Sequence, residues 1–481
     1  MSSIDDADRS SAWDQWTICV AGLGVAGYAA ADALLQLGAS VRVVDSSDAE
    51  SVRSKADILG TLGASTNLAA GERLGSTLDH CDALVVSPGL PPSHPWIVES
   101  LERGIAVWGE LELAWRLRPV DNPAPWLCVT GTNGKTTTTM MLESILRAEG
   151  LEAVAAGNIG TSLVDVVMHE RPDVIAVEVG APQLPFVTSM SPLAAVCINI
   201  AHDHLDHFGG FETYQSAKAR IYRLTQRAAI YNVDDPVTRT MVEHADVVEG
   251  CRAIGITLGT PAIGMVGVVD DLLVDRAFID DRGKRAQELA SVDDVHPAAP
   301  HNVVNALAAS ALARAYGVAP KAVRDGLRSF TPAQHRISDV GVIAGIRFVD
   351  DSKATNAHAA LASVTAYPSV VWIAGGLAKG QDFDDLIRHI GPRLRGVILL
   401  GRDRAVLADA LRRHAPEVPV VEVDRTDTGA METVVDLALN YARAGDTVLL
   451  APGCASWDMF RDYSERGDLF TAAVAARGAR R

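Results

Sequence analysis

Short runs of apolar, β-branched residues alternate along this chain with Ala- and Leu-rich stretches long enough to form helices. Such runs predict buried strands of parallel sheets, and the stretches between them predict helices that cover the sheets. The predicted strands of the first part are Thr17–Ala21, Ser40–Val44 and Ala83–Val86. Those of the middle part are Trp126–Thr130, Val174–Glu178 and 194–200, and its predicted helices end near Ala148 and cover 301–316. Those of the last part are 347–349, 370–374, 397–400, 419–423 and Thr447–Leu450, with a predicted helix over 357–366 that an Asp or Ser caps.

This alternation falls into three segments, each opening with a strand and a Gly-rich turn. Pro119, Pro123 and Pro125 interrupt the pattern between the first two segments. A chain of 481 residues has room for about three domains. We therefore predict an α/β protein with domains at 1–120, 121–331 and 332–481, the first and third Rossmann-like and the central one similar to the P-loop ATPases.

Composition excludes several classes of protein. The net charge of −17 argues against a nucleic-acid-binding surface, which needs clustered Lys and Arg. The six cysteines are scattered without the spacing of zinc ligands, which favours a reducing, cytoplasmic location. No apolar run approaches the roughly 18 residues of a membrane span, and the first 15 residues lack the features of a signal peptide. We expect a soluble protein with neither a nucleic-acid partner nor a membrane span.

The first Gly-rich turn, Gly22-Leu-Gly24-Val-Ala-Gly27, joins a predicted strand to a predicted helix. Asp45 ends the next strand, at the spacing of about twenty residues found in dinucleotide-binding folds. In such a turn the backbone approaches a pyrophosphate, and the helix start supplies N–H donors. Taken alone, the motif suggests an NAD(P)-dependent oxidoreductase, and a tight turn without a ligand is the plainer interpretation.

The second Gly-rich turn has the sequence GTNGKTTT at 131–138 and also joins a strand to a helix. Its backbone N–H groups can hold phosphate oxygens, Lys135 can place a positive charge at the terminal phosphates, and the Thr136 hydroxyl can reach Mg²⁺. Glu178 ends a strand beside this turn, where a carboxylate can bind Mg²⁺ directly or through water. The turn predicts a phosphate-binding loop, which the oxidoreductase interpretation leaves without a role.

Further motifs connect this loop with a known family. GTNGKTTT resembles the ATP loop of the Mur ligases and of the related folylpolyglutamate synthases. More motifs follow in the family's order: GNIG at 157–160, NIAHDHLDH at 199–207, YQSAK at 214–218, NVDD at 232–235 and HNVVNALA at 301–308. The segments typical of the glutamate-adding branch are DDSKATN at 350–356, GGLAKG at 375–380 and LAPGCASWD at 450–458. The DNPR signature of the diaminopimelate- or lysine-adding branch is missing from the sequence.

The resemblance implies an ATP-dependent ligase of peptidoglycan synthesis that joins D-glutamate to UDP-N-acetylmuramoyl-L-alanine. ATP would phosphorylate the alanyl carboxylate, and the amine of glutamate would attack the acyl phosphate through a tetrahedral intermediate. The resemblance also implies two Mg²⁺ ions, a carbamate formed by CO₂ on Lys218, and a monomer. It places hinges at 118–125 and 330–336, so that the third domain closes over ATP and excludes water.

The family's functional residues carry over onto this chain motif by motif. The resemblance implies catalytic roles for Lys135, Glu178, His204 and Lys218, and metal binding by Thr136, Glu178, His204 and Lys218. It implies ATP binding by Gly131, Thr132, Asn133, Gly134, Lys135, Thr136, Thr137, Asn305, Arg336 and Asp351. It implies binding of the UDP-linked substrate by Gly24, Val25, Ala26, Asp45, Ser46, Ser87, Pro88, Gly89, Asn158 and His204. It implies glutamate binding by Lys353, Thr355, Lys379, Ser456 and Tyr463.

The chain departs from the family pattern at two places. Gly180-Ala181-Pro182 stands where the glutamate-adding branch has Ser-Ser-Phe, and Tyr463 stands where it has Phe. Neither change touches the phosphate or metal chemistry, but both bear on substrate affinity and on the choice of acceptor. A ligase with another acceptor, such as L-glutamate, is therefore an alternative, and the lost serines suggest a non-catalytic nucleotide-binding regulator as another. Without the resemblance, Lys218 would be an ordinary surface lysine and His204 a structural or loop histidine.

Overall fold

The computed structural model describes residues 3–203, 205–332 and 334–479. The chain divides into two compact units. An N-terminal unit holds the residues up to Val295 together with Asn302–Phe330. A C-terminal unit holds His296–His301 together with the residues from Thr331 onward. The domain boundaries at 120 and 331 stay predictions, whereas the α/β fold class with Rossmann-like sheets is confirmed.

The first sheet of the N-terminal unit is parallel throughout, with the strand order β3-β2-β1-β4-β5. Its strands are β1 (Thr17–Ala21), β2 (Ser40–Val44), β3 (Ser65–Asn67), β4 (Ala83–Val86) and β5 (Ala106–Gly109). Its helices are α1 (Val25–Gln36), α2 (Glu50–Thr61), α3 (Pro95–Glu102) and α4 (Glu110–Arg116). The strand order reverses between β1 and β4, which opens the crevice where such sheets bind ligands.

The second sheet has the strand order β14-β13-β12-β11-β10-β9-β6-β8-β7. Its strands are β6 (Trp126–Thr130), β7 (Ala153–Gly157), β8 (Val174–Glu178), β9 (Ala194–Cys197), β10 (Ala228–Asn232), β11 (Arg252–Ile256), β12 (Met265–Val269), β13 (Leu272–Asp275) and β14 (Gln287–Ser291). Its helices are α5 (Lys135–Ala148), α6 (Leu163–His169), α7 (Leu205–Phe208), α8 (Phe211–Ala219), α9 (Pro236–Glu243), α10 (Pro300–Tyr316) and α11 (Pro320–Ser329). The pairing is parallel from β7 to β12 and antiparallel from β12 to β14.

The C-terminal sheet has the order β15-β16-β20-β17-β18-β19, with an antiparallel edge strand β15. Its strands are β15 (Ser338–Ile343), β16 (Ile346–Asp350), β17 (Val370–Gly375), β18 (Leu394–Leu400), β19 (Val420–Glu422) and β20 (Thr447–Leu450). Its helices are α12 (Ala357–Thr365), α13 (Asp384–Ile390), α14 (Arg404–His414), α15 (Ala430–Tyr441) and α16 (Tyr463–Gly478). The predicted helix over 357–366 is confirmed, but its cap is Asn356, whose Oδ1 accepts a hydrogen bond from Ala359 N–H at 2.8 Å.

The predicted strand at 194–200 is wrong at its end, because β9 stops at Cys197. Ile198 N–H still donates to the Thr130 carbonyl at 3.0 Å, but the Asn199 carbonyl then accepts from Thr132 N–H at 3.0 Å. The chain leaves the sheet here because its backbone forms hydrogen bonds with the second Gly-rich turn, at 131–138. Apolar residues alone could not reveal that turn's demand for hydrogen bonds.

A buried carboxylate joins α4 to the segment between β8 and β9 within the N-terminal unit. Glu112 is fully buried, and its Oε1 accepts hydrogen bonds from Arg116 Nε at 2.8 Å and from the hydroxyls of Thr188 and Ser189 at 2.8 and 2.6 Å. Burial alone would raise the pKa of Glu112, but these hydrogen bonds outweigh it and lower the pKa.

None of the described helices combines the length and the apolar character needed to cross a membrane.

Helices α11 and α5 approach so closely at Gly326 that a Cβ there would lie 2.4 Å from Ile145 Cα. Gly326→Ala should therefore destabilise the fold by about 1–3 kcal/mol, the usual cost of overpacking. Gly60→Ala on α2 is the matched control, since a Cβ there meets nothing within 4 Å, and it should stabilise the fold by about 0.5–1 kcal/mol. Thermal unfolding followed by circular dichroism tests both, and equal midpoints for the two variants would contradict the packing.

Candidate active site

The turns after β1, β2 and β4 meet at the carboxyl edge of the first sheet. Gly22 has a φ of +91°, and its N–H donates to the Val44 carbonyl at 2.8 Å. A Cβ on Gly27 would lie 1.8 Å from the Gly22 carbonyl oxygen, so α1 can approach this turn only with glycine there. Gly24 precedes helix α1 and gives it no side-chain cap, which leaves the first N–H groups of the helix to an anion.

The residues predicted to bind the UDP-linked substrate in this sheet surround the start of α1. The exposed members are Gly24, Val25, Ser46 and Gly89, and the half-buried members are Ala26, Asp45, Ser87 and Pro88. Asp45 accepts hydrogen bonds from the N–H groups of Leu23 at 2.7 Å and Ser47 at 2.8 Å. Its carboxylate therefore orders the turn, and its contact with the substrate stays a prediction.

The phosphate loop joins β6 to α5 through glycines in the left-handed region. The φ angle is +155° at Gly131 and +83° at Gly134, where other residues would be strained. Asn305 on α10 is buried against the loop, since a Cβ on Gly134 would lie 2.2 Å from its Oδ1. Gly134 caps α5 without a side-chain hydrogen bond, so the helix start presents N–H groups to a phosphate. Thr136 and Thr137 are half-buried in its first turn.

Asn199, just after β9, hydrogen-bonds to the phosphate loop, and the sequence analysis assigned it no individual role. Its Oδ1 accepts from Asn133 N–H at 2.9 Å, and its Nδ2 donates to the Asn133 carbonyl at 3.1 Å. The Thr132 hydroxyl shares a hydrogen bond of 2.9 Å with the Tyr214 hydroxyl on α8. These partners are 66 and 82 residues apart, so no local pattern in the sequence could pair them.

Lys135 and Lys218 converge on the carbonyl oxygen of Gly131. Lys135 Nζ donates to it at 2.9 Å and to the Thr132 carbonyl at 2.9 Å. Lys218 Nζ donates to it at 2.8 Å and to Thr130 Oγ1 at 3.2 Å. Lys218 is only 1% exposed, so the plain alternative of a surface lysine is wrong. Burial, assisted by the charge of Lys135, lowers the pKa of Lys218 to about 7, so much of this amine is neutral near neutral pH.

Glu178 ends β8 directly beside Val129 of β6 and is 2% exposed. Its Oε1 accepts from Asn158 Nδ2 at 2.9 Å, whereas its Oε2 is buried without a hydrogen-bond donor among the described residues. A buried carboxylate oxygen in this state fits a bound Mg²⁺ ion. The described residues contain no cluster of His, Cys, Asp and Glu that could hold a metal by themselves. His204, the other predicted metal ligand, lies outside the described residues.

Gly180 packs closely against the Asn158 amide that contacts Glu178. A Cβ on Gly180 would lie 3.0 Å from Asn158 Oδ1, so a serine there would require the amide to shift by a few tenths of an ångström. The Gly180 N–H donates to Gln183 Oε1 at 2.8 Å. The replacement of Ser-Ser-Phe therefore removes hydroxyls and also changes the room around Asn158, which the sequence alone did not indicate.

In the C-terminal unit, Asp351 follows β16 and is buried. Its carboxylate accepts hydrogen bonds from the Ser363 hydroxyl and from Ile337 N–H, the latter at 3.3 Å. Burial raises the pKa of Asp351 to about 6, against the opposing effects of the Ser363 hydrogen bond and the Arg336 charge. Arg336 is half-buried, and its positive charge lies close enough to Asp351 to lower the pKa of that carboxyl. The structure therefore brings these two predicted ATP-binding residues together.

Lys353 and Tyr463 lie together, as predicted for one part of the glutamate site. Lys353 Nζ is 3.9 Å from the centre of the Tyr463 ring, at the distance of a cation–π contact. Arg466, which the sequence analysis did not predict, is linked to this pair through Ser352. It is 1% exposed, and it donates to Ser352 Oγ at 2.9 Å and to the Ser352 carbonyl at 2.7 Å. Ser352 Oγ in turn donates to the Tyr463 carbonyl at 2.7 Å.

Lys379 and Ser456 lie on neighbouring turns that a short β-bridge from Leu377 to Ala455 holds together. Lys379 is exposed, and its Nζ is 4.2 Å from the centre of the Trp457 ring. Ser456 is buried, and Thr355, the remaining predicted glutamate contact, is half-buried. Trp457, 64% exposed, is a site residue that the sequence analysis missed, because only the folded turns bring it to Lys379.

Profiles of three known protein domains match most of the chain. The profile described as Mur ligase MurD-like, N-terminal domain matches residues 16–109. The profile of the Mur ligase middle domain matches 129–313, and that of the Mur ligase, glutamate ligase domain matches 335–454.

Relatives and solved structures agree with these profiles. A UDP-N-acetylmuramoylalanine--D-glutamate ligase of Streptomyces avermitilis is 55% identical over 97% of this chain and 99% of its own length. The enzyme of that name from Mycolicibacterium smegmatis is 42% identical over 95% of this chain and 96% of its own length. The UDP-N-acetylmuramate-alanine ligase MurC of Thermotoga maritima has a similar fold, with a TM-score of 0.56 at 18% identity over 96% of this chain and 99% of that one.

The low pKa of Lys218 predicts a pH-dependent stability. Between its folded value of about 7 and its ordinary value of 10.5, the unfolded chain binds a proton that the folded chain does not, so stability rises with pH over this window. Lys218→Met has no amine at this position, so its stability lacks this contribution from proton binding. The stability of the wild type relative to Lys218→Met should rise by up to about 4 kcal/mol between pH 7 and 10.

Thermal unfolding in CO₂-free buffers measures this difference. Lys321→Met is the control, because Lys321 is 79% exposed and its removal should leave the pH dependence unchanged. A constant difference between wild type and Lys218→Met from pH 7 to 10 would contradict the buried amine.

Proposed function

The chain belongs to the Mur ligase family, and on that premise we propose that it joins D-glutamate to UDP-N-acetylmuramoyl-L-alanine in peptidoglycan synthesis, converting ATP to ADP and phosphate. The observation that carries the proposal is the convergence of Lys135, Lys218 and Glu178 on the phosphate loop of a chain that matches such ligases over its full length. The oxidoreductase alternative gives none of these residues a role.

The reaction requires a carboxylate oxygen to become a leaving group. One oxygen of the alanyl carboxylate attacks the γ-phosphorus of ATP, and ADP departs with the electron pair of the broken P–O bond. The glutamate amine then attacks the acyl carbon, loses a proton and expels phosphate, which leaves an amide. Negative charge collects at the transferring phosphoryl group, so the enzyme's main task is to neutralise and orient it.

Residues of the phosphate loop suit that task. Lys135 and the N–H groups at the start of α5 would hold the β- and γ-phosphates, and Thr136 would bind a Mg²⁺ ion. Asn305 would contact the adenine, while Asp351 and Arg336 would serve the ribose and a phosphate or carboxylate. The Lys135 ammonium group donates hydrogen bonds to the carbonyls of Gly131 and Thr132. When a triphosphate binds, this group would leave those carbonyls and contact the phosphates.

Lys218 fits a carbamate better than an ammonium. Its burial and low pKa favour the neutral amine, the form that reacts with CO₂. The carbamate would supply oxygen ligands for a second Mg²⁺ ion, whose charge assists transfer of the phosphoryl group. Glu178 would bind the same ion through its unpaired Oε2, and His204 is proposed as a further ligand. Asn158 would hold Glu178 in this orientation and would also orient the muramoyl peptide.

Residues of the N-terminal unit are proposed to bind the UDP-linked substrate, and residues of the C-terminal unit are proposed to bind D-glutamate. The uridine diphosphate would lie on Gly24–Ala26 and on the turns at Asp45–Ser46 and Ser87–Gly89. D-Glutamate carries a side-chain carboxylate that Lys379, Thr355 and Ser456 would hold, with Lys353 and Tyr463 beside it. The Trp457 ring would limit the freedom of Lys379 and so fix the position of that carboxylate.

Phosphate release tests the proposed function. We expect release only when ATP, Mg²⁺, UDP-N-acetylmuramoyl-L-alanine and D-glutamate are all present, and the product should gain one glutamate by mass. Release with L-glutamate or another amine in place of D-glutamate would keep the ligase chemistry and reject the acceptor. ATP binding without release for any acceptor would favour the non-catalytic regulator.

Lys135→Ala tests the role of the phosphate loop in the same assay. Loss of its charge at the γ-phosphate should lower kcat by at least about a hundredfold, the usual effect of removing one stabilising group from a transition state. Lys321→Met removes an exposed lysine of α11 and should leave kcat unchanged. Wild-type kcat in Lys135→Ala would exclude the proposed role.

A further inference from the structure

A cavity of about 440 Å³ opens in the N-terminal unit, and arginines dominate its lining. Arg227 stands just before β10, Arg252 begins β11, and Arg314 lies in the last turn of α10. The aromatic rings of Phe278 and Tyr316 complete its walls. We call it the arginine cavity.

The arginine cavity lies at the opposite edge of the second sheet from the phosphate loop. The loop follows the carboxyl end of β6, whereas Arg227 and Arg252 stand at the amino ends of β10 and β11, which run parallel to β6 through β9. A strand of five residues separates the edges by about 15 Å. The cavity is therefore distinct from the site of the proposed ligase reaction, and no step of that reaction uses it.

The positive charges of the cavity exceed the negative charge that faces them. Arg314 Nε forms an ion pair with Asp275 Oδ2 at 3.0 Å. The other oxygen of Asp275 accepts hydrogen bonds from the N–H groups of Ala277 at 2.7 Å and Phe278 at 2.9 Å. This carboxylate is hydrogen-bonded to one guanidinium and to the backbone, and it is a single negative charge beside three arginines, of which it also partly compensates Arg252.

The hydrogen bonds of Arg227 and Arg252 go to backbone carbonyls. Arg227 Nη1 donates to the Ala315 and Tyr316 carbonyls at 3.0 and 3.4 Å, and Arg252 Nη1 donates to the Ala277 carbonyl at 2.8 Å. Each guanidinium has five N–H groups, so these bonds leave donors for a ligand. Burial and the charge of Arg282 lower the pKa of Arg252, the charge of Asp275 opposes them, and Arg227 lowers the pKa further.

The carbonyls at and just after the end of α10 account for Arg227 and Arg314, which donate to them, since cations stabilise a helix C-terminus. They do not account for Arg252 on β11, or for the gathering of three guanidinium groups around open space in a chain of net charge −17. Guanidinium groups present planar pairs of donors that match phosphate oxygens. We propose that the arginine cavity binds the phosphate group of a small-molecule ligand, held between Arg227, Arg252 and Arg314 with its remainder against Tyr316.

Equilibrium dialysis with radiolabelled pyrophosphate tests the proposal by counting binding sites. The pyrophosphate also binds at phosphate-binding turns elsewhere, so the informative quantity is the difference between variants. Wild type should bind one equivalent more than Arg252→Met, because the loss of one charged contact should weaken this site at least about tenfold. Arg227→Met, on a different strand, should lose the same equivalent.

Arg239→Met is the matched control, because it removes the same charge from an exposed arginine of α9 paired with Glu243. It should bind as many equivalents as wild type. Circular dichroism and ligase turnover, unchanged in all variants, verify the fold. Full wild-type binding by folded Arg252→Met or Arg227→Met would overturn the proposal.

Competition in the same dialysis identifies the source of the phosphate. Displacement by AMP at lower concentration than by inorganic phosphate would indicate a nucleotide, whereas equal displacement would indicate free phosphate. Either result supports the shared chemistry, provided that the displaced equivalent is the one missing in Arg252→Met. Displacement of the other equivalents only would overturn it.

Discussion

The carbonyl oxygen of Gly131 receives hydrogen bonds from both Lys135 and Lys218, and the chemistry of the site depends on this convergence. Cations this close repel each other, and one of them is buried, so the structure favours loss of the proton from Lys218. In the proposed mechanism this neutral amine would react with CO₂, while Lys135 would keep the charge that a triphosphate needs. Glycine at 131 is essential because the loop must turn with a φ of +155° to offer this oxygen to both.

Asn158 orients the second proposed metal ligand, Glu178, at the end of the neighbouring strand β8. Its amide holds one oxygen of Glu178 at 2.9 Å and leaves the other buried and free of donors among the described residues. Residue 180 lies against this amide, since a Cβ there would be 3.0 Å from Asn158 Oδ1. The lost serines of this segment are therefore coupled to the orientation of the proposed metal ligand, in addition to any contact they would have made with substrate.

The sequence predicted the Gly-rich turns and most of the parallel strands, because buried strands are continuous apolar runs and phosphate turns need glycine at fixed places. It overextended β9, because Asn199 leaves the sheet to bind the loop. It did not identify the parallel strands β3, β5, β7, β10 and β11 or the antiparallel β12–β14, among which β3 and the start of β14 are exposed. The missing site residues share one property. Trp457 meets Lys379, and Arg466 meets Ser352, across 78 and 114 residues of chain, so only the fold brings them together.

The central claim is that Lys218 is a buried neutral amine that becomes a carbamate. Nuclear magnetic resonance of the protein in ¹³C-bicarbonate measures this directly. The account predicts a carbamate resonance of about one equivalent that grows as the pH rises through about 7 and that is missing from Lys218→Met. A wild-type protein that shows no such resonance at pH 8 in excess bicarbonate, or a resonance that persists in Lys218→Met, would contradict it.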